Sequence, residues 1–368
     1  MQRFTTLIAI SAVFTAALAV SCQKSEPGPK PAPADAGEWL IEAVAADVGW
    51  SSAIALDSKG RPHIAYTGNV DGLFGARGLP KYASRTGGKW ETVTLDADPD
   101  HHGLCHSISV DDRDRVEVFY YWDSFRYARR TGSVWETGTL DTPESVTRYN
   151  SVAFDRRGRP HILYSGDDEL KYARATADGW ELETVDSGGS VRKPSLTFDA
   201  EDRPHILYRQ DMYSAATENY VYKLKYAHWT GTAWDFQTVD AEGDTSSGQA
   251  IAVDSRGRPC IAYQDTLRRD LKYGVLVDGR WRIETVDAEG RVGTGAAIAL
   301  DGRNLPYISY YGENGLKFAH YTGDGWYVQT LDAEAGKPSF DDWETSLALD
   351  GRGRPHISYF DRCKDELK

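Results

Sequence analysis

A few side chains able to transfer or neutralise charge stand just before strand-like segments of this 368-residue chain. His106 and Tyr149 could act as a base and an acid, while Arg148 and Arg192 could neutralise a carboxylate on the reacting molecule. Together with Glu344, the tyrosine and the two arginines would also suit the hydrolysis of a glycosidic bond. Because these residues are far apart in sequence, either chemistry depends on the elements that position them.

Those elements are copies of an internal repeat. An anchor aspartate returns at intervals of about 50 residues, which suits a propeller blade or a solenoid unit. A tyrosine follows nine residues after every anchor, and a histidine follows six residues after four of the seven. The anchors are Asp57, Asp111, Asp155, Asp199, Asp254, Asp301 and Asp350, and the tyrosines are Tyr66, Tyr120, Tyr164, Tyr208, Tyr263, Tyr310 and Tyr359.

The segment after each anchor has the composition of a hairpin turn. The third residue after the anchor is always Gly, Asn or Asp, the types that tolerate a left-handed backbone. A proline follows two residues later in six of the seven copies, where a new strand can begin without a ladder donor. Since a residue used in every repeat usually serves the fold, we interpret Asp-x-x-Gly-Arg-Pro-His as a structural turn and not as a catalytic motif.

Each copy contains four strand-like segments, the fourth of which carries a tryptophan. Seven such copies predict an all-β protein, a seven-bladed β-propeller of four-stranded antiparallel blades. The last copy stops at Leu367-Lys368 without its tryptophan strand, while residues 38–44 resemble the tryptophan strand at 179–185. We therefore expect the N-terminal strand to join the last blade and close the ring, which removes an exposed edge.

The repeat is lost just before each first strand, on the face where propellers commonly bind ligands. One arc of this channel mouth gathers basic and acid–base side chains, and a second gathers tryptophan and carboxylate. Two insertions, 67–80 and 209–223, fall on the same side and could overhang it. The pattern fits an anionic or sugar-like ligand, and ordinary solvated loop charges are the alternative. The candidate ligand-binding residues are Trp50, His106, Arg148, Tyr149, Arg192, Lys193, Trp343 and Glu344.

The residues before the repeats predict export. Residues 1–22 combine Arg3 with an apolar run, typical of a signal peptide and too short for a stable membrane span. Ala19-Val20-Ser21-Cys22 resembles the lipobox of bacterial lipoproteins, which implies cleavage before Cys22 and lipidation on it, with ordinary secretion as the alternative. Residues 23–37 predict a Pro/Ala-rich tether to a propeller at 38–368. By the same resemblance, Gln23 favours the outer membrane, so the expected location is the bacterial cell envelope.

The overall charge excludes one class of partner. The net charge is −13 and the isoelectric point is near 5.2, whereas nucleic-acid binding needs a basic face. Cysteine pairs with the spacing of metal ligands do not occur, and we expect neither a metal nor another cofactor. We also expect a monomer that contacts a membrane only through the lipid on Cys22.

The repeat is similar in architecture to sialidase-type and fucose-lectin propellers and looks like other exported bacterial propellers. The similarity covers residue 38 to the end, but it lies in the style of the repeat, because the Ser-x-Asp-x-Gly-x-Thr-Trp box of sialidases is missing. It favours a non-catalytic binding module for a glycan or an envelope protein at the channel mouth. The alternatives are a structural scaffold of envelope complexes and a carbohydrate-active enzyme. Such an enzyme would be a sialidase-like hydrolase, or a polysaccharide lyase using His106, Tyr149, Arg148 and Arg192.

Overall fold

The computed structural model describes residues 38–46, 48–69, 78–97, 104–111, 113–121, 124–139, 150–166, 168–214, 218–240, 248–336 and 344–368. This part of the chain contains strands and turns and no helix, and therefore no helical segment able to cross a membrane. The strands, in chain order, are β1 (Ala45–Ala46), β2 (Val48–Leu56), β3 (Pro62–Asn69), β4 (Gly78–Thr86), β5 (Lys89–Thr94), β6 (Leu104–Val110), β7 (Val116–Tyr121), β8 (Phe125–Thr131), β9 (Val134–Thr139), β10 (Asn150–Phe154), β11 (Pro160–Gly166), β12 (Glu169–Thr176), β13 (Gly179–Ser187), β14 (Ser190–Phe198), β15 (Pro204–Ser214), β16 (Asn219–Trp229), β17 (Trp234–Asp240), β18 (Gln249–Val253), β19 (Pro259–Asp265), β20 (Asp270–Val277), β21 (Arg280–Asp287), β22 (Val292–Leu300), β23 (Pro306–Gly312), β24 (Gly315–Tyr321), β25 (Trp326–Asp332), β26 (Ser346–Leu349), β27 (Pro355–Ser358), β28 (Phe360–Asp361) and β29 (Glu366–Leu367).

The strands form seven four-stranded antiparallel blades, which confirms the predicted propeller. In the first six blades each strand pairs with its neighbour in sequence, from β2–β5 through β22–β25. The seventh blade contains β26, then β27 continued by β28, then β29, and finally β1. Because neighbouring strands are antiparallel, all the anchor turns lie on one face of the ring, which we call the turn face. The segments that lead into the first strands lie on the other face, the mouth.

The turns have the predicted backbone conformation. The third residue after each anchor has a positive φ in all seven copies, for example 72° at Gly60, 58° at Asp114 and 65° at Asn304. In the first turn Asp57 Oδ1 accepts the backbone N–H groups of Lys59 and Arg61. Burial raises the pKa of the Asp57 carboxyl, but the hydrogen bonds from Arg61 outweigh that effect and hold the pKa below its usual value. The anchor is therefore a structural ion inside its own turn.

The repeated histidine links the anchor to the third strand of the same blade. His161 Nδ1 lies 2.5 Å from Tyr172 Oη, and its Nε2 lies 3.5 Å from Asp155 Oδ2. His205 has the same partners in the next blade, at 2.7 Å from Tyr226 and 3.4 Å from Asp199. This Asp–His–Tyr arrangement has the composition of a catalytic triad. However, it is buried on the turn-face side of several blades, so we assign it to the fold.

Aromatic pairs join neighbouring blades. In five blades the tryptophan at the fourth-strand position contacts an aromatic ring on the third strand of the preceding blade, edge to face. The pairs, with their centroid distances, are Trp135–Tyr82 (4.9 Å), Trp234–Tyr172 (5.6 Å), Trp281–Tyr226 (5.3 Å), Trp326–Tyr273 (5.2 Å) and Trp39–Phe318 (5.0 Å).

A second link between blades uses an aspartate six residues after the fourth-strand tryptophan, in blades one, three, four, five and six. Asp287 of blade five accepts a hydrogen bond from Tyr310 Oη at 2.7 Å and pairs with Lys317 Nζ at 2.6 Å, both from blade six. The tyrosines Tyr120, Tyr208, Tyr263 and Tyr359 bond equivalent aspartates in the same way. The repeat tyrosine is thus an inter-blade donor in five blades as well as a packing residue.

The N-terminal strand closes the ring as predicted. Ala45 and Ala46 of β1 pair with Leu367 and Glu366 of β29. Trp39 takes the place of the blade-seven tryptophan against Phe318. On the inner wall, Ser52 Oγ lies 3.1 Å from Ser358 Oγ, which joins blade one to blade seven. All of these contacts lie within Gly37–Lys368, which is a single compact unit, so this segment contains the complete ring.

Candidate functional site

Irregular pairing marks the mouth ends of the first strands. The register shifts between Val48 and Ser52 in β2, between Cys105 and Ser107 in β6, and between Arg192 and Ser195 in β14. The first strand of blade six shifts as well, before Ala297. A bulge breaks the alternation of side chains and redirects them, which is why the repeat pattern is lost at these positions.

Lys193 lies inside the blade-four bulge, with a left-handed φ of 48°. Its side chain is only 8% exposed, and its Nζ lies 3.6 Å from Glu344 Oε1 at the start of blade seven. The backbone carbonyl of Lys193 accepts a hydrogen bond of 2.9 Å from Gln249 Nε2. The structure therefore joins the two predicted arcs of the mouth by an ion pair between blades that are not neighbours.

Between blades five and seven the mouth is closely packed. A Cβ added to Gly248 would lie 2.2 Å from the backbone nitrogen of Gly295, so this approach needs a residue without a side chain. Thr345 donates its backbone N–H to the Gly295 carbonyl at 3.0 Å, and its Oγ1 lies 2.7 Å from Ser309 Oγ. These mouth positions serve packing between blades five, six and seven.

Blade four carries an ionic cluster at its mouth end. Asp211 Oδ2 lies 2.8 Å from Arg192 Nε, and the same buried carboxylate accepts two hydrogen bonds from the Arg209 guanidinium. The Arg209 guanidinium also stacks over the Tyr222 ring, 4.6 Å from its centroid. Two guanidinium groups share one carboxylate, so the cluster keeps a net positive charge. Arg192 remains 43% exposed and can meet an anion from solution.

The insertion at 209–223 extends the second and third strands of blade four beyond the rest of the blade. β15 and β16 are each 11 residues long and pair throughout, with Tyr213 opposite Tyr220 and Asp211 opposite Tyr222. The Tyr213 and Tyr220 rings lie 5.6 Å apart and are 62% and 61% exposed. This long hairpin therefore presents two aromatic side chains to solvent.

The ionic cluster and the two exposed tyrosines share one surface. Residues two apart in a strand, and residues directly opposite in neighbouring strands, point to the same face of a sheet. This rule places six side chains on one face, which we call the Arg–Tyr face: Arg192, Arg209, Asp211, Tyr213, Tyr220 and Tyr222. From position 209 to position 213 it extends about 13 Å at roughly 3.3 Å per residue.

The structure places only some of the predicted site residues. Arg192, Lys193 and Glu344 are described in full, as above. Trp50 and His106 lie on β2 and β6, but their side chains are outside the described residues. The same holds for the whole of Arg148, Tyr149 and Trp343, so the proposed meeting of His106 with Tyr149 stays a prediction.

Sequence reasoning recognised the 209–223 insertion but did not predict that Arg209 and Asp211 would meet Arg192. The alternation of Arg209, Asp211 and Tyr213 was the available signal, because such residues share one face of a strand. Within the described part of the chain, no group of His, Cys, Asp and Glu side chains is arranged to hold a metal ion.

Comparison with known proteins gives the fold and little more. No family model matches the sequence, and no curated protein matches it. Among solved structures, the chain is similar to a protein of unknown function from Dyadobacter fermentans, with a TM-score of 0.53 and 11% identity over 74% of this chain and 93% of that one.

Two further solved structures are of proteins that act on glycans. One is an ulvan lyase bound to -[GlcA(1-4)Rha3S]-, with a TM-score of 0.53 and 12% identity over 78% of this chain and 82% of that one. The other is an α-L-arabinanase from Penicillium chrysogenum complexed with arabinobiose, with a TM-score of 0.52 and 11% identity over 78% of this chain and 96% of that one. At such low identity these likenesses show a shared fold.

Proposed function

We propose that the propeller is a binding module for an acidic glycan, held along the Arg–Tyr face at the mouth. The observation that carries the proposal is the half-exposed Arg192 guanidinium, next to a cluster with excess positive charge and in line with two exposed tyrosines. A guanidinium can bind a carboxylate or sulfate through two hydrogen bonds, and aromatic rings stack on the apolar faces of sugars. Similar propellers that bind uronate-containing or neutral glycans support this ligand class.

The test is a glycan array probed with Gly37–Lys368, followed by affinity measurements on the best ligand. Arg192→Ala, and separately Tyr213→Ala with Tyr220→Ala, should each weaken binding roughly 10-fold, because each change removes about 1–2 kcal/mol of contact. Arg174→Ala is the matched control, since this exposed arginine lies on the outer part of blade three and pairs with Glu181. Unchanged affinity in both mouth variants would contradict the proposal.

We further propose that the protein is exported and anchored in the bacterial cell envelope through a lipid on Cys22, with the outer membrane as the destination. The lipobox-like segment before Cys22 and the Pro/Ala-rich residues 23–37 support this proposal. Intact protein expressed in a Gram-negative host should incorporate labelled fatty acid, and Cys22→Ser should abolish that incorporation. A mature wild-type chain that carries no lipid would refute the anchor while leaving the binding proposal untouched.

A second candidate function is β-elimination of a uronate polymer, and the shared fold with an ulvan lyase favours it over other enzyme classes. In this reaction His106 would remove the proton at C5, Tyr149 would protonate the leaving glycosidic oxygen, and Arg148 with Arg192 would neutralise the uronate carboxylate. The product has a double bond conjugated to its carboxylate, so turnover would raise the ultraviolet absorbance. His106→Ala with Arg148→Ala should abolish both turnover and binding while the fold is kept. A flat absorbance trace with glycans that bind would leave the non-catalytic role.

A further inference from the structure

The anchor turns carry slightly more basic than acidic side chains, although the protein as a whole is acidic. Every anchor turn contains at least one Lys or Arg, although the whole chain has a net charge of −13. The basic residues of these turns are Lys59, Arg61, Arg113, Arg115, Arg156, Arg157, Arg159, Arg203, Arg256, Arg258, Arg303, Arg352 and Arg354. The blade-four turn, with Glu201 and Asp202, is the most acidic of the seven.

Several neighbouring turns contact each other. The backbone N–H of Ser58 donates to Asp114 Oδ1 at 2.8 Å, which links blades one and two. Similar bonds join Arg156 to Asp202, and Ser255 to Asn304. A Cβ on Gly60 would lie 3.3 Å from Asp350 Cβ, so the turns of blades one and seven also touch. These contacts link the turns of blades seven, one and two, those of blades three and four, and those of blades five and six, all on one face of the ring.

Positive and negative charges occupy different depths on this surface. The anchor carboxylates are buried, as Asp155 and Asp350 illustrate, with side-chain exposures of 1% and 4%. Their arginine partners lie above them, with Arg159 and Arg354 at 45% and 66%. The second residue after the anchor uses its backbone N–H in the turn and has an exposed side chain, and it is basic in six of the seven blades. An approaching surface would meet the cations first.

The chain enters the propeller from the same face. Fourth strands begin beside the turn face, as the pairing of Trp326 with Tyr321 at the end of β24 shows. Trp39 is the equivalent tryptophan of blade seven, so residue 38 lies at this side of the ring. The ion pair of 2.8 Å between Glu42 and Arg85, near the end of β4, agrees with this direction.

We infer that the turn face is a docking surface for anionic lipid headgroups, and that the propeller lies on the membrane with its mouth directed away. The direction from which this face would meet the membrane rests on the proposed lipid anchor. The charge pattern of the face does not depend on that anchor. The inference replaces the expectation of a membrane contact made through the lipid alone. Phosphate headgroups are the chosen partner because the exposed cations of this face lie above buried carboxylates and complement an anionic surface.

The test is co-sedimentation of Gly37–Lys368 with vesicles of phosphatidylcholine, alone or with about 30 mol% phosphatidylglycerol. Binding should require the anionic lipid and should weaken as salt is raised. Lys59→Gln, Arg157→Gln and Arg352→Gln together should lower the partition coefficient at least ~10-fold, because each basic residue near an anionic membrane contributes about a factor of five. Glutamine at these three positions removes the positive charge but keeps the backbone N–H groups that form hydrogen bonds within the turns.

The matched control removes the same charge from the mouth: Arg268→Gln, Arg291→Gln and Lys364→Gln. This variant should bind anionic vesicles like the parent, while the turn-face variant should keep its glycan affinity. Equal losses in both triple variants would overturn the inference, because only net charge would then matter. So would binding to heparin without binding to vesicles, which would make the partner an acidic polymer. The glycan affinity of Arg192→Ala, and of Tyr213→Ala with Tyr220→Ala, bears on the proposed function and not on this surface.

Discussion

Replacing Trp39 by alanine should destabilise the propeller about as much as removing a tryptophan from within the ring. The Trp39 ring packs edge to face on Phe318 at 5.0 Å, and Trp326 packs on Tyr273 in the same way at 5.2 Å. Both tryptophans are half-buried; Trp326 begins β25, and Trp39 takes the equivalent place six residues before β1. If the N-terminal strand is a full member of blade seven, the two substitutions should cost the same.

The magnitude follows from burial and ring contact. A fully buried tryptophan replaced by alanine costs about 3–5 kcal/mol, and half-burial reduces this to about 2 kcal/mol. The edge-to-face contact with Phe318 adds about 0.5–1 kcal/mol. We therefore expect Trp39→Ala and Trp326→Ala each to lower the free energy of unfolding by about 2–3 kcal/mol.

The assay is urea unfolding of Gly37–Lys368, with the change in free energy taken from the shift of the midpoint and the slope. Leu40→Ala is the control in the same segment, because Leu40 is 73% exposed and its loss should change stability by less than about 0.5 kcal/mol. A Trp39→Ala variant as stable as Leu40→Ala, beside a strongly destabilised Trp326→Ala, would refute the argument that the first strand closes the ring.

Three further predictions concern buried polar groups. Burial lowers the pKa of His205 from 6.5 to about 4, so its stabilising contribution is complete above pH 6.5 and is lost as the pH falls towards 4. His205→Gln should therefore reduce the loss of unfolding free energy over that range by on the order of 3 kcal/mol. Tyr263→Phe removes a hydrogen bond of 2.9 Å to Asp240 and should cost about 1–2 kcal/mol in urea unfolding. A double-mutant cycle on Lys193 and Glu344 should give a coupling of about 0.5 kcal/mol, because the carboxylate is 59% exposed.

Each of these has a defined control. The parent protein unfolded over the same pH range is the reference for His205, and an unchanged pH slope in the variant would exclude this histidine as the cause. Tyr213→Phe is the match for Tyr263→Phe, since the exposed Tyr213 hydroxyl should contribute almost nothing. A coupling of zero between Lys193 and Glu344 would mean that their ion pair across the mouth does not persist in solution.

The fold was predictable because its determinants are local and recur. Gly60, Asp114 and Asn304 occupy equivalent positions, and only their shared tolerance of a positive φ explains why those types alternate there. Trp39 could be assigned to blade seven from one missing strand and one spare strand. The contact of Asp287 with Tyr310 was not predicted. The spacing of Asp287 from Trp281 is visible in the sequence, but the partner of Asp287 lies in another blade.

The site was less predictable because it depends on where the repeat fails. The 209–223 insertion stood out by length, yet the contact of Asp211 with Arg192 required knowing that β14 pairs with β15 as far as Ser190. The approach of Lys193 to Glu344 depends on the width of the mouth, which no single blade encodes. The roles of Trp50, His106, Arg148, Tyr149 and Trp343 remain predictions.

The contact between Ser52 and Ser358 joins positions 306 residues apart, and this separation has a consequence for biogenesis. The ribosome delivers the first blade long before the seventh blade that will pack against it, so the first blade must wait while the other blades assemble. Loop closure over so many residues is entropically costly and makes this step slow. During that interval β1, whose strand partner is β29, is open to strands from other chains. We therefore expect newly made protein to depend on a holding chaperone until blade seven is complete.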